Sequence, residues 1–160
     1  MTRRCAVGEL HVIRRIEVAS ICERIKKRRR VGRTVCAVFH GKEIIPRGAR
    51  LRDFGYQDIP DDMWVRVNRR EALEAIVHCL TEDLAYGAKV MSAKHARELG
   101  EAFLSNFDED ARFLTNSRYF RDDFRGSAFS WNPISGSAID TGIVVESGGL
   151  AGILWVEDED

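Results

Sequence analysis

"AIDTGIVVESGGLAGILWVED" spans residues 138–158, and its reading decides the fold. Two runs rich in Val, Ile and Leu flank Ser147-Gly148-Gly149. β-Branched and large apolar side chains suit a pleated, packed surface, and glycines supply the backbone freedom of a tight hairpin turn. The stretch therefore predicts a C-terminal β-hairpin. Its strands are apolar at consecutive rather than alternate positions. A strand with one wetted face alternates, so both faces of this hairpin are expected to lie between layers.

Working back along the chain, "ARFLTN" (111–116) and "MWVRVN" (63–68) read as short strands. Asn68 is placed to cap a helix, with Glu71 completing a capping box. Leu73, Ile76, Val77, Leu80 and Leu84 fall on one helical face, and Gly87 is the expected stop. Ser92 caps a second helix with the stripe Ala96, Leu99, Phe103 and Phe107. Nearer the N-terminus, "ELHVIRRIEV" (9–18) has Leu10, Val12, Ile16 and Val18 at even spacing and reads as a strand. "VASICERIKKRRRVG" (18–32) reads as a helix through Val18, Ile21, Cys22 and Ile25, ending at Gly32. "RTVCAVFHG" (33–41) reads as a strand, and residues 42–62 as loop with at most a short strand. The fold class is α+β: a mostly antiparallel sheet, helices packed on one side, and the C-terminal hairpin.

The 160 residues are read as a single domain, 1–160, large enough for a core without crosslinks. Apolar runs are too short for a membrane helix, and no secretory leader is expected. Cys5, Cys22, Cys36 and Cys79 contain no CxxC spacing, so no zinc ribbon or thioredoxin-type pair is signalled; they read as reduced thiols, most simply buried small hydrophobes. The zero net charge hides a division. Residues 1–50 hold 14 Lys/Arg against 4 Asp/Glu, and residues 101–160 hold 4 against 12. Such ends either meet a charged partner or pair within the fold.

No motif for a cofactor or metal stands out. Asp140-Thr141-Gly142 is the triplet of aspartic proteases, where two carboxylates share a proton. Only 18 residues follow Gly142, too few for a cleft, so the aspartate reads as the entry to a strand. Cys36 and His40 lie about 13 Å apart along a strand, beyond nucleophile–base reach. His78 and Glu82 share a helix face without a third ligand.

Two charged surfaces remain. The run from Arg24 through Lys26, Lys27, Arg28, Arg29 and Arg30 to Arg33 fits a phosphate-binding patch, but no aromatic interleaves it for stacking. A solvated helix end, favoured by the helix dipole, is the plain alternative. The second surface is acidic. Residues 117–137 form a long loop with Tyr119, Phe120, Asp122, Asp123, Phe124, Phe129 and Trp131, and the chain ends in Glu157, Asp158, Glu159 and Asp160. Aromatic anchors ringed by charge suit a protein-binding surface, and acids held outward by a rigid strand suit a basic partner.

The stretches "LAYG" (84–87), "FLTN" (113–116), "SWNP" (130–133), "DTGIVV" (140–145) and "GILWVEDED" (152–160) resemble the C-terminal half of small bacterial immunity proteins encoded beside polymorphic toxins, of the contact-dependent-inhibition or type VI effector type. The resemblance covers about the last 75 residues. It implies a cytoplasmic, non-catalytic protein in a one-to-one complex with a toxin domain, and carries over no contact residues. The expected function is to neutralise a cognate toxin, a nuclease by this reading, using Tyr119, Phe120, Asp122, Asp123, Phe124, Trp131 and the terminal acids. The basic N-terminal segment departs from the usual acidic blocker of a nuclease. The alternative is a nucleic-acid-binding regulator using residues 24–33.

Overall fold

The computed structural model describes residues 5–41, 46–118 and 132–159, with side chains from Glu17 onward. In chain order the elements are α1 (Cys5–Arg28), β1 (Arg33–His40), α2 (Arg47–Arg52), a 3-10 turn (Asp61–Met63), β2 (Val65–Val67), α3 (Arg69–Thr81), α4 (Ala93–Leu104), β3 (Arg112–Thr115), β4 (Ile139–Ser147) and β5 (Leu150–Asp158). The strands form one sheet in the order β1-β5-β4-β3-β2, every neighbouring pair antiparallel.

The hairpin β4–β5 is the centre of this sheet, and β5 is buried from Ala151 to Asp158. Its two faces meet different layers, which is why the sequence does not alternate. On one face Cys36, Phe113, Ile143, Val145 and Leu154 pack with Cys22 and Ile25 of α1 and the apolar stripes of α3 and α4. On the other, Val35, Leu114, Val144, Ile153 and Trp155 pack with Leu51 of α2, Tyr56, Trp64 and Ile134. The long helices thus share one side, and short α2 with its following loop covers the other. Full burial of each large apolar side chain stabilises the fold by about 1.5–3 kcal/mol. Gly152 lets α4's end approach: a Cβ there would sit 2.3 Å from the Phe107 ring.

The caps form as the sequence predicts. Asn68 Oδ1 accepts from Glu71 N at 2.9 Å, Glu71 Oε2 accepts from Asn68 N at 3.0 Å, and Ser92 Oγ accepts from His95 N at 3.2 Å. Phe107 lies beyond α4 but is still buried.

Three expectations fail. Residues 9–18 are not a strand; they belong to the 24-residue α1. No Gly or Pro lies between Gly8 and Gly32, so nothing divides a strand from the helix that follows. The small penalty of β-branched residues does not stop a helix that already has a buried stripe. Residues 47–52 form α2 where a loop was expected: Pro46 stands at its N-cap position, its carbonyl accepts from Ala49 N at 3.0 Å and Arg50 N at 3.3 Å, and Leu51 anchors the helix in the core. Finally, α3 ends at Thr81, short of Leu84 and Gly87. Glu82 is extended and bridges to Lys89, while Gly87, at φ +66°, serves the turn that returns the chain. The backbone released between 79 and 84 is used to receive two charged side chains, described next.

Candidate functional site

The acidic end of the chain and the basic end of α1 meet each other. Glu157 and Asp158, expected to face outward, are buried, and the reason is Arg29 and Arg33. Arg29 is 2% exposed. Its Nη1 and Nη2 donate to the two oxygens of Asp158 at 2.9 and 2.6 Å. Nε donates to Cys79 O at 2.6 Å, and the remaining protons go to Val31 O at 2.6 Å and Glu82 O at 3.1 Å. A guanidinium has five N–H donors, and each is used here. Asp158 Oδ2 also accepts from Leu84 N at 2.7 Å. Gly32 permits the closure: its φ is +57°, and a Cβ would lie 2.0 Å from Glu157 O and 2.3 Å from Asp158 Oδ1.

Glu157 forms the neighbouring cluster. Its Oε1 accepts from Arg33 Nη1 at 2.9 Å and from the Tyr56 hydroxyl, and its Oε2 accepts from Ser137 Oγ at 3.0 Å. Arg33 stacks over the Tyr56 ring at 5.3 Å and donates to Phe54 O. Burial and the bond to Glu157 push the Tyr56 hydroxyl well above its ordinary pKa. Of the terminal acids, Glu159 is exposed, and Asp160 lies outside the described residues.

The same accounting trims the basic patch. Arg24, Lys26, Lys27, Arg28 and Arg30 are exposed, whereas Arg29 is consumed inside and Arg33 is tied to Glu157. Lys26 pairs with Glu23 at 2.5 Å, and Arg30 Nε donates to Lys27 O at 3.2 Å.

A second polar cluster holds the base of the aromatic loop. Tyr119, Phe120, Asp122, Asp123, Phe124, Phe129 and Trp131 lie outside the described residues. Both flanks are described. Asn116 Nδ2 donates to Asn132 O at 3.1 Å, and Asn132 N donates to Asn116 O at 3.3 Å. Asn116 Nδ2 also reaches Asp140 Oδ1 at 2.9 Å, and Thr141 Oγ1 donates to Asn116 Oδ1 at 2.8 Å. Asp140 Oδ2 accepts from Ile134 N at 3.0 Å and Ser135 N at 2.6 Å. Buried, fully bonded networks of this kind fix one geometry. Asn116 and Asn132, which flank residues 119–131 in the sequence, are therefore fixed to each other and to Asp140 of β4.

Beside the clamp stands the 3-10 turn, with Asn132 Nδ2 donating to Met63 O at 3.4 Å. Asp61, Asp62 and Met63 are exposed, and among the described residues Met63 is one of two exposed large hydrophobics. Arg47 Nη2 holds Asp61 at 2.5 Å while its Nε holds Asp58 at 3.0 Å, and the guanidinium stacks over Trp64 at 5.1 Å. The turn is thus an acidic, partly apolar point on a stiff mount. "IPDD" (59–62) signalled only a loop in the sequence, and Met63 and Trp64 were read into the strand that follows; a run of acids before a Met-Trp pair was the available clue.

Asp140 holds this loop base. It is fully buried, burial pushes its carboxyl above the ordinary value, and the bonds it accepts oppose that shift. Its neighbours are backbone amides and Asn116, the environment of a loop organiser. Cys36 faces Cys22 rather than a base, with the sulfurs 2.7 Å apart. Glu82 leaves the helix that carries His78. Among the described residues no group of three or more His, Cys, Asp or Glu is placed to hold a metal ion, and no helix is long and apolar enough to cross a membrane. No family model matches the chain, and no curated protein or solved structure matches it.

Proposed function

We propose that the chain is a non-enzymatic inhibitor that binds one copy of a basic bacterial toxin domain in the cytoplasm and covers its active or substrate-binding face. One observation carries the reading: the residues flanking the aromatic, acidic stretch 119–131 of the sequence, Asn116 and Asn132, are tied to each other and to Asp140, beside the exposed Asp61, Asp62 and Met63. Segments of that length in a packed domain tend to be functional. Large apolar anchors supply binding energy, and surrounding acids raise the encounter rate and select a cationic partner. The resemblance to immunity proteins supplies the partner class. Of the terminal acids, Glu157 and Asp158 are removed from the contact surface because they are spent internally, and Glu159 is exposed. The test is to mix the purified chain with the toxin domain encoded by an adjacent gene. A one-to-one peak in size exclusion together with loss of the toxin's activity supports the reading; two separate peaks and undiminished activity overturn it.

A second reading rests on the exposed end of α1. Arg24, Lys26, Lys27, Arg28 and Arg30 form a cationic surface open to phosphates. Binding to duplex DNA that weakens with a log–log salt slope of about 0.9 per phosphate supports it. No binding at low salt eliminates it.

A further inference from the structure

We infer that Cys22 and Cys36 are a thiol pair that closes into a disulfide between α1 and β1 when the protein meets a hydroperoxide. Cys36 Sγ lies 2.7 Å from Cys22 Sγ, and a disulfide bond is about 2.05 Å long. The closure needed is about two-thirds of an ångström, within reach of small side-chain rotations. Both side chains are buried in the same core layer, so they have few alternative rotamers that would separate them. Both also line a groove between α1 and β1, with Glu23, Lys26 and His40, through which a small oxidant can enter.

The two thiols are unequal. Cys22 is pulled below its ordinary pKa chiefly by the hydrogen bond from Cys36, opposed by burial and helped by Lys26. Burial, with the bond to Cys22 adding, pushes Cys36 well up. Cys22 is therefore the attacking sulfur, since the thiolate is the nucleophile. Its thiolate attacks one peroxide oxygen, the O–O bond breaks, and the other oxygen leaves as water after taking a proton. Cys22 is then a sulfenic acid. Cys36 loses its proton and its sulfur attacks Cys22 sulfur, the S–O bond breaks, and the hydroxide leaves as a second water. Two thiols are oxidised by two electrons in all, and the peroxide is reduced by two. Cys79 is excluded from this chemistry: it is fully enclosed, and its thiol is pushed up to about 12 by burial.

The bond would tie the basic helix to the edge strand of the sheet and close a loop with the cysteines 14 positions apart. The experiment treats the reduced full-length protein with hydrogen peroxide at a few equivalents, quenches by alkylation and digests without reductant. The expected result is a mass loss of about 2 Da, a peptide linking Cys22 to Cys36, reversal by dithiothreitol, and a Tm raised by roughly 5–10 °C. Cys22→Ser and, separately, Cys36→Ala should abolish both the link and the Tm rise. Thiols that stay fully alkylatable overturn the inference. So does Cys22 accumulating as sulfinic acid beside a free Cys36, or oxidation that links Cys5 instead. The mass measurement on the native chain decides even if a variant fails to fold.

Discussion

Replacing Asp158 by alanine removes the partner of a guanidinium that is almost wholly enclosed. The substitution deletes two charge-assisted bonds from Arg29 and one from Leu84 N, at 2.9, 2.6 and 2.7 Å. It leaves the Arg29 charge in place without a counter-ion. Breaking a buried pair from one side costs about 3–5 kcal/mol, against a total of roughly 5–15 kcal/mol for a typical domain. For a chain of this size that is roughly 6–20 °C in Tm. The assay is urea denaturation of wild type, Asp158→Ala, Arg29→Met and the Arg29→Met/Asp158→Leu double variant. Both single variants should lose several kcal/mol. The double variant should recover much of it, because exchanging a buried pair for apolar groups of similar volume is often neutral. High salt should change the wild-type stability little, since a buried pair is poorly screened. A cost below about 1 kcal/mol for Asp158→Ala, the range of an exposed pair, would refute the reasoning.

Three further outcomes are expected. Folded Tyr56 keeps its proton above pH 10, where an unfolded tyrosine releases its own, so the folded state holds more protons there and stability falls as pH rises past about 10; Tyr56→Phe should flatten that slope in urea midpoints taken between about pH 9 and 11, and an unchanged slope contradicts the burial argument. Gly152→Ala drives a Cβ into the Phe107 ring and should cost about 1–3 kcal/mol, whereas Gly136→Ala, with nothing within 4 Å, should be nearly neutral; equal calorimetric Tm values would remove the close-approach account. Asp61→Lys/Asp62→Lys should slow association with the toxin domain about tenfold at low salt, with the gap narrowing as salt rises; a stopped-flow rate that does not move excludes this turn from the encounter surface.

The hairpin, β1, β2, β3 and both capped helix starts were legible because each is announced locally. A Gly-Gly turn, an Asn68–Glu71 capping box and a continuous apolar run need no knowledge of distant residues. The join of residues 9–18 to α1 was not legible, because even spacing of Leu10, Val12, Ile16 and Val18 fits a strand as well as a helix whose packing is decided elsewhere. The end of α3 was missed for a tertiary reason: the backbone at Cys79, Glu82 and Leu84 is occupied by Arg29 and Asp158, which are 129 positions apart in the chain. The charge division between the chain's ends was visible, with pairing inside the fold among its readings. What composition could not decide was which of seven clustered cations would turn inward; Gly32, by allowing the tail's backbone to pass close, selects Arg29. The loop base was half legible. Asp140 stood out as part of a triplet, but its partner Asn116 carries no pattern that singles it out.

Hydrogen exchange on the chain, alone and bound to the toxin domain, tests the account most directly. It predicts new protection at residues 61–64 and 116–134 and unchanged exchange at 24–30. Protection confined to residues 24–30, or equal exchange in both samples across 61–64 and 116–134, would contradict it.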